Sequence, residues 1–410
     1  MAAESMATLD GILKNFYIGP VRRAFNAEIP LYNRVKRDRE NISGRQAIFP
    51  VHTAWGESVG AIPETGDVPA AGNETVLNAI VPIRTLAGNV ELSSKIIEAT
   101  QSDAGAFVQA LEFKLRQVTD NLKKELEAQL QGDGSGALAR ITVALSAPND
   151  NFTVDNPGTL RPGMTLKAAS ARLGGTTRTS PAFLTVKTVD YATGVVTTVE
   201  DITGTPDWAV NDFVFRGDAT GFIGRGINIM GLLGIVDDGT FVSTLHGISR
   251  TDHELWRGTV LGNAGVARDL TLTLLQAAED AVWIRTGARP SALYSHLAQR
   301  QRYFELLVAD RRFVNTMKFD GGAQFDALEY NGRPWFVSRE CPKNVVYLLD
   351  EEALRFFMLK DIGWADRAGI LLRVPGKLLY QATLEMHAEF GSYLPARHAV
   401  IRDLSVPSGY

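Results

Sequence analysis

A twenty-residue stretch, GESVGAIPETGDVPAAGNET at 56–75, constrains the fold of this chain more than any other feature. It contains four glycines, two prolines and four acidic residues, and it lacks lysine, arginine and aromatic residues. The flanking segments at 46–55 and 76–92 are apolar and alternate loosely, so they predict strands. Pro50 and Pro82 favour edge positions in them. The whole predicts a long hairpin that is unstable alone in water. We therefore expect this arm to pack on other copies of the chain.

Charge is distributed unevenly around this arm. Residues 1–45 carry eight basic and five acidic residues, whereas residues 46–94 carry Arg84 against five acidic residues. The chain as a whole has a net charge of −4 and a pI near 5.9, which argues against tight nonspecific binding to DNA. We interpret the two segments as contacts between subunits, and solvated loops are the alternative. The candidate contact residues are Arg34, Lys36, Arg37, Arg39, Glu57, Glu64 and Asp67.

The most regular pattern in the sequence lies at 103–131. Apolar residues recur there at steps of three or four, which predicts a helix of about eight turns, roughly 40 Å long. The stripe consists of Phe107, Leu111, Leu115, Val118, Leu122, Leu126 and Leu130. A coiled coil is the alternative, but the stripe ends after about three and a half heptads. A second, shorter amphipathic helix is predicted at 8–17.

Residues 140–217 differ in composition from the rest of the chain. Short β-prone runs such as FLTVKTV and VVTTVE alternate with turn sequences such as RPG and DYATG, which predicts a small β barrel or sandwich inserted into the main chain. After it, a helix is predicted at 267–286, and a strand followed by a helix is predicted at 290–307. The run 367–404 predicts long strands of a final sheet. The predicted fold class is α+β.

The sequence contains no convincing catalytic, cofactor or metal site, and we predict that the protein is not an enzyme. GDGSGA at 132–137 follows a helix and lacks the lysine of a P-loop, so helix termination explains it better. The six histidines show no metal-ligand spacing. The single cysteine, Cys341, excludes intrachain disulfides and a cysteine-based zinc site. The chain has no apolar run of 18 residues, so no association with a membrane is expected.

The order of these segments resembles that of the major capsid proteins of tailed bacteriophages, whose shell fold also occurs in herpesvirus capsid floors and encapsulins. The residues that carry the resemblance are GILKNFYIGPVRRAFN, GESVGAIPETGDVPAAG, DAGAFVQALEFKLRQVTDNLKKELEAQLQGDGSGALA, GLLGIVDDG, LYSHLAQRQRYFELLVADRRF and YNGRPWFVSRECPKNVVYLLD. They span nearly the whole chain except the predicted β insertion.

The resemblance implies a structural subunit that assembles into pentamers and hexamers of an icosahedral shell around double-stranded DNA, which its inner face contacts weakly. It implies an N-arm at 1–44, an extended loop at 45–95, a peripheral domain with a spine helix at 96–139, a β-rich insertion at 140–217, an axial domain at 218–349 and closing peripheral strands at 350–410. The expected location is the virion capsid, assembled in the host cytoplasm. Glycines such as Gly44 and Gly88 would let the arm pivot during shell expansion.

One departure from the family concerns covalent cross-linking. Some members join their subunits through a lysine of the extended loop, but residues 46–94 contain no lysine, so we expect a noncovalent shell. A separate scaffolding protein, a portal and a decoration protein are the further partners that the resemblance implies. An encapsulin-like nanocompartment shell is the alternative function. A carbohydrate- or receptor-binding module at 140–217 is a second alternative.

Overall fold

The computed structural model describes residues 30–40, 42–54, 58–70, 72–95, 104–202, 204–309, 328–365 and 372–407. The predicted helix at 8–17 and Glu57 lie outside these residues. The described α-helices are α1 (Pro30–Arg34), α2 (Ala104–Leu130), α3 (Leu232–Ile235), α4 (Leu272–Thr286) and α5 (Leu297–Ala309).

Strands are numbered in chain order. Those before the region of the predicted insertion are β1 (Lys36–Asp38), β2 (Ile42–Ser43), β3 (Gln46–Ala54), β4 (Thr75–Pro82) and β5 (Arg84–Ser93). Those around the insertion are β6 (Ala137–Val143), β7 (Asn151–Val154), β8 (Thr165–Ala169), β9 (Leu184–Val189), β10 (Val195–Thr198), β11 (Phe213–Asp218) and β12 (Gly221–Phe222).

The strands of the C-terminal half follow. They are β13 (Thr244–Leu245), β14 (Ile248–Ser249), β15 (Thr259–Leu261), β16 (Ala292–Ser295), β17 (Glu329–Tyr330), β18 (Arg333–Val337), β19 (Val346–Leu349), β20 (Leu354–Trp364), β21 (Leu372–Arg373), β22 (Leu379–Ser392) and β23 (Ala399–Ile401). Single 3₁₀ turns occur at Pro157–Thr159, Glu254–Trp256 and Pro395–Arg397.

The chain divides into two compact units, and the first contains 83–127 and 358–388. In it, β5 pairs with β22 in an antiparallel ladder from Arg84 opposite Ala388 to Ser93 opposite Leu379. Helix α2 packs on this sheet, and a Cβ on Gly88 would lie 2.8 Å from Val118 Cγ1. Gly88 therefore permits a close approach of helix and sheet, and its predicted role as a pivot is wrong because it lies inside a ladder.

The second unit contains 30–82, 128–357 and 389–410. One of its sheets has six strands in the order β15-β23-β19-β16-β18-β17. Side chains of α4 and α5, such as Val282 and Tyr303, share a buried core with Leu293 and Leu348 of this sheet. Thr271 caps α4 by accepting a hydrogen bond from the backbone N–H of Leu274 at 3.2 Å, as expected for a threonine at this position.

Two sequence-based strand predictions need correction. The predicted strand at 76–92 is interrupted at Ile83: β4 pairs with β3, whereas β5 pairs with β22. The predicted final sheet at 367–404 is also divided, since β23 pairs with β15 and β19 instead of with β22. Local sequence patterns indicate a strand but do not identify its partner, because pairing is decided by contacts distant in sequence.

Within the second unit, six strands close on themselves. Each of β6, β7, β10, β9 and β8 pairs with the next, and β11 then pairs with both β8 and β6. We call this closed set of strands, with its connections (137–222), the ring. Its interior is filled by apolar side chains that include Phe152 and Trp208, both about 1% exposed. Closure leaves no free edge among the six strands.

Candidate intersubunit surface

The hairpin formed by β3 and β4 has one buried and one exposed face. The ladder places Ile48 opposite Ile80, and alternation along both strands then sends neighbouring side chains to opposite faces. One face buries Ala47, Phe49, Val51, Ala79 and Val81. The other face leaves Ile48 and Ile80 about 40% exposed, at 38% and 41%, together with Val76 at 56%. We call this second face the outer face of the hairpin.

The prolines of the hairpin lie where they remove no ladder hydrogen bond. Ile80 donates its backbone N–H to His246 O at 2.8 Å, so this N–H points away from β3. Because N–H directions alternate along each strand of an antiparallel pair, Pro82 also has its nitrogen turned away from β3. Pro50, which lies opposite Asn78, has its nitrogen turned away from β4. The predicted edge position is confirmed for Pro82 in β4. Pro50 lies in the central strand β3 instead, and β2 pairs only with Gln46 and Ala47 of that strand.

Aromatic side chains anchor the buried face of the hairpin. The Phe49 ring stacks on Phe357 with a centroid distance of 5.4 Å and meets Tyr393 edge-on at 4.8 Å. On the far side, the carbonyl of His246 fixes β4 through Ile80. Burial, together with the nearby positive charge of Arg250, lowers the pKa of the His246 imidazole to about 3. The base of the hairpin is therefore held by aromatic packing and by a backbone hydrogen bond to His246.

The tip of the hairpin contrasts with its base. Residues 58–70, which we call the tip loop, form no strand, and the turn at Pro63 is closed by the backbone N–H of Gly66 at 2.9 Å. Val59 is 95% exposed, Val68 is 78% exposed and Ile62 is 49% exposed. Glu64 and Asp67 are also exposed, and they form no ion pair with any described residue. The loop therefore presents apolar and acidic groups to solvent together.

Arg34, one of the predicted contact residues, is engaged within the chain. Its Nε and Nη2 donate to the two carboxylate oxygens of Glu351 at 2.6 and 2.7 Å, and its guanidinium lies 4.2 Å from the centroid of the Phe336 ring. Tyr294 also donates its hydroxyl to Glu351 at 2.7 Å. The hydrogen bonds that Arg34 donates to Glu351 raise the pKa of Arg34. This bidentate pair makes Arg34 unsuitable for pairing with another copy.

The other predicted basic residues lie in or beside β1. Lys36, Arg37 and Arg39 are exposed, while β1 pairs in parallel with β20 and the Arg37 guanidinium lies 4.9 Å from the Tyr32 ring. The pairing of these three residues with Glu64 and Asp67 of another copy stays a prediction. Sequence reasoning missed the outer face, although QAIFPVHTA already shows apolar residues at both alternating sets of positions.

A buried serine and histidine, Ser392 and His398, lie within hydrogen-bonding distance, as in a hydrolase site, but their protons are arranged differently. The Ser392 hydroxyl lies 2.9 Å from Nε2 of His398, and the backbone N–H of Asp350 donates to Nδ1 of the same ring at 3.2 Å. The proton of the neutral ring is therefore on Nε2, which donates to Ser392, whereas a general base would accept from it. Both side chains are fully buried, and burial lowers the pKa of His398 to about 3. We interpret the pair as structural.

The charged side chains of another candidate site are also bonded to groups within the chain. A cleft of about 300 Å³ is lined by Arg172 and Lys343, but Arg172 pairs with Asp133 at 2.9 Å and Lys343 donates to Tyr191 O at 2.6 Å. GDGSGA ends α2, with Gly132 donating its N–H to Gln129 O at 3.0 Å. Across the described residues, no cluster of three potential metal ligands occurs. None of the helices in the described part is long and apolar enough to cross a membrane.

Comparison with known proteins gives a likeness in structure. No family model matches the chain, and no curated protein matches its sequence. A chain of the capsid asymmetric unit of cyanophage A-1(L) matches with a TM-score of 0.58 and 14% identity, over 98% of this chain and 99% of that one. A chain of the capsid of an empty GTA particle matches with a TM-score of 0.51 and 10% identity, over 98% and 100%.

An encapsulin from Synechococcus elongatus PCC 7942 is also similar, at a TM-score of 0.48 and 9% identity over 100% of this chain and 99% of that one. The two capsid matches extend over nearly the full length of both chains, so they concern the whole mixed helix-and-strand architecture. The chain therefore has the phage major capsid fold.

Proposed function

We propose that this protein is a structural shell subunit that assembles into the pentamers and hexamers of an icosahedral capsid around double-stranded DNA. The observation that carries the proposal is the hairpin, whose outer face and tip loop expose apolar side chains on a segment with a buried base. Such a surface is stabilised when a second copy covers it, and interfaces of obligate assemblies bury about 2,000–5,000 Å².

The parts of the chain take their roles from this assembly. Helix α2 acts as the spine helix of a peripheral domain, the six-stranded sheet belongs to the axial domain, and the ring is an insertion between them. The N-arm and the extended loop supply the contacts between subunits. A scaffolding protein, a portal and a decoration protein remain predicted partners, and weak contact with packaged DNA remains a predicted property of the inner face.

Electron microscopy of the purified protein tests the proposal. We expect closed particles with five-fold and six-fold clusters from cells that express the phage genes, with nuclease-resistant DNA inside. Particles that enclose protein cargo without DNA would favour the encapsulin-like alternative. A protein that stays monomeric at concentrations well above micromolar would contradict both functions.

A matched pair of variants connects the particles to the hairpin. Ile48→Asp with Ile80→Asp places two charges on the outer face, and we expect it to prevent assembly because a charge cannot be buried there without a partner. Val266→Asp is the control, since Val266 is 64% exposed outside the hairpin. Equal particle yields from both variants would contradict a role for the outer face.

The shell is held together without covalent links between subunits, because residues 46–94 offer no lysine for an isopeptide bond. Purified particles boiled in SDS are expected to migrate as a single band at the monomer mass of 44.7 kDa. A ladder of multimers that resists boiling and reduction would show that a different residue forms the link.

A further inference from the structure

One end of the ring, together with the segment 223–227 that follows it, carries an apolar patch built from two loops. Arg225 joins them: its Nη2 donates to Ala171 O at 2.8 Å and also to Gly174 O, and its Nε donates to Arg172 O at 3.3 Å. The loops also touch directly, since a Cβ on Gly226 would lie 3.4 Å from Leu173 Cδ2. Leu173, Ile223 and Ile227 are exposed to 63%, 47% and 61%. We call these three side chains the ring-end patch.

Two cations lie close to this patch and form no ion pair with a described carboxylate: Arg225 is partly exposed, and Lys167 is 9% exposed. The Arg225 guanidinium lies 4.5 Å from the centroid of the Phe222 ring, and Lys167 Nζ lies 5.8 Å from the same ring. Both side chains donate their hydrogen bonds to backbone carbonyls. Lys167 Nζ donates to Asp218 O at 3.2 Å. Within the described part of the chain, neither residue forms an ion pair. Burial lowers the pKa of Arg225, and no carboxylate opposes this effect.

The tip loop of the hairpin has the complementary properties. It exposes Val59, Ile62 and Val68, and it carries Glu64 and Asp67, which have no cationic partner among the described residues. An extended acidic segment with apolar side chains fits an apolar patch that is flanked by unneutralised cations, because contact removes apolar surface from water while opposite charges approach.

The geometry points to the ring-end patch as the docking site for the tip loop of a second copy of this chain. This inference rests on the proposed self-assembly, because its occupant is a neighbouring subunit. The basic residues Lys36, Arg37 and Arg39 form a competing surface for the same acidic loop. That surface offers charge alone, since the apolar side chains next to it, Leu31, Tyr32 and Val35, are buried. The ring-end patch offers apolar surface and charge together.

Disulfide trapping in assembled particles tests the docking. The chain suits this method because its single cysteine, Cys341, is buried. Ile62→Cys combined with Ile227→Cys is the test pair, and Ile62→Cys combined with Lys36→Cys is the matched pair for the competing surface. A disulfide forms when the two Cα atoms lie within about 7 Å. After mild oxidation, we expect a ladder of reducible multimers from the test pair only, since a bond within one chain would leave monomers.

The outcomes separate this inference from the proposed function. Particles that form with no multimers from the test pair, or with multimers from the Lys36 pair instead, overturn the docking site and leave the proposed function intact. Wild-type protein that forms no particles overturns the proposed function and the docking site with it.

A second pair of variants covers the case in which the cysteine variants do not assemble. Ile227→Asp places a negative charge in the patch opposite the acidic loop, and we expect about a tenfold higher protein concentration to be needed for assembly, equivalent to about 1.4 kcal/mol. Val199→Asp, at a residue of the ring that is 58% exposed outside the patch, is the control and should assemble like the wild type. Equal assembly by both variants overturns the docking site.

Discussion

The ring and the hairpin are both built from antiparallel strands, but they satisfy their strands in different ways. The ring closes its own hydrogen bonds through β11 and fills its interior with side chains such as Phe152 and Trp208. The hairpin buries one face, and its outer face and tip loop expose apolar residues such as Ile80 and Val59. The strands of the ring are therefore fully paired within one chain, whereas under the proposed function a neighbouring copy covers the apolar side chains that the hairpin exposes.

The two regions also differ in how many contacts they make with the rest of the chain. The ring contacts the 338–344 segment closely. Lys343 donates to Tyr191 O at 2.6 Å, and the carbonyl oxygen of Arg339 lies only 2.5 Å from the position that a Cβ on Gly158 would take. The tip loop has no comparable set of contacts among the described residues. Surfaces reserved for assembly are expected to lie in segments with few internal contacts.

The largest expected effect is in the core of the ring. Trp208 meets Phe152 edge-on at 5.6 Å and donates its indole N–H to Pro181 O at 2.9 Å. We expect Trp208→Ala to lower the free energy of unfolding by about 3–5 kcal/mol, because it creates a cavity and removes this hydrogen bond. Val59→Ser in the tip loop should change it by less than about 0.5 kcal/mol. Urea unfolding of the unassembled chain measures both, and equal midpoints would contradict the contrast.

The second-largest expected effect is a loss of stability at acid pH that differs between the hairpin base and the ring. Burial lowers the pKa of His246 and of His398 to about 3, whereas unfolding restores the ordinary value of 6.5. The unfolded chain therefore binds more protons between pH 6.5 and 3, and stability falls as pH falls through this window. At pH 5 the loss is about 2 kcal/mol for each histidine.

The ring contains no histidine, so this loss should spare it. Hydrogen exchange at pH 7 and pH 5, corrected for the intrinsic pH dependence of exchange, measures protection in each region. We expect protection to decrease at the hairpin base and in the six-stranded sheet while the ring keeps most of its own. His246→Gln should reduce the pH dependence at the hairpin base. A ring that loses protection first would contradict this prediction.

Two glycine-to-alanine substitutions, each of which adds one methyl group, compare the ring with the tip loop. Gly158→Ala forces its Cβ against the backbone carbonyl of Arg339, and we expect a loss of about 1–3 kcal/mol through the shift that it requires. Gly60→Ala in the tip loop meets only Pro69 Cγ at 3.5 Å, an ordinary contact, so its effect should stay within about 0.5 kcal/mol. Thermal unfolding of the two variants side by side measures the difference.

The smallest expected effect on stability is also the most informative about assembly. Ile48→Thr and Ile80→Thr replace half-exposed side chains of the outer face, so the unassembled chain should unfold within about 0.5 kcal/mol of the wild type. Assembly should nevertheless require more protein. Unfolding curves and light scattering on the same preparations test both parts. A large loss of stability without any change in assembly would mean that the outer face serves the monomer.

Long periodic patterns were read correctly from the sequence. The stripe at 103–131 corresponds to α2 at Ala104–Leu130, and its members Leu122, Leu126 and Leu130 are buried. The strand and helix predicted at 290–307 correspond to β16 and α5. The family resemblance also indicated the fold that the structural comparison shows. Strand partners were read less well, as β5 and β23 demonstrate.

The candidate contact residues show the same limit. Arg34 and Lys36 are equivalent as basic residues in the sequence, yet Arg34 forms a bidentate pair with Glu351, which lies 317 positions away. The ring-end patch was not predicted at all, because Leu173 and Ile227 are separated in sequence and are brought to one surface only by the loops that Arg225 joins. Contacts of this kind leave no local periodicity to read.

The sequence by itself determined which segments become helix or strand, the lack of lysine between residues 46 and 94, and an arm too poor in apolar residues to fold alone. Those properties depend on near neighbours along the chain, so they are visible in the order of residues. The tertiary structure alone decided which strands pair, which arginine is neutralised and which apolar side chains remain uncovered. Burial and charge pairing depend on groups that only folding brings together.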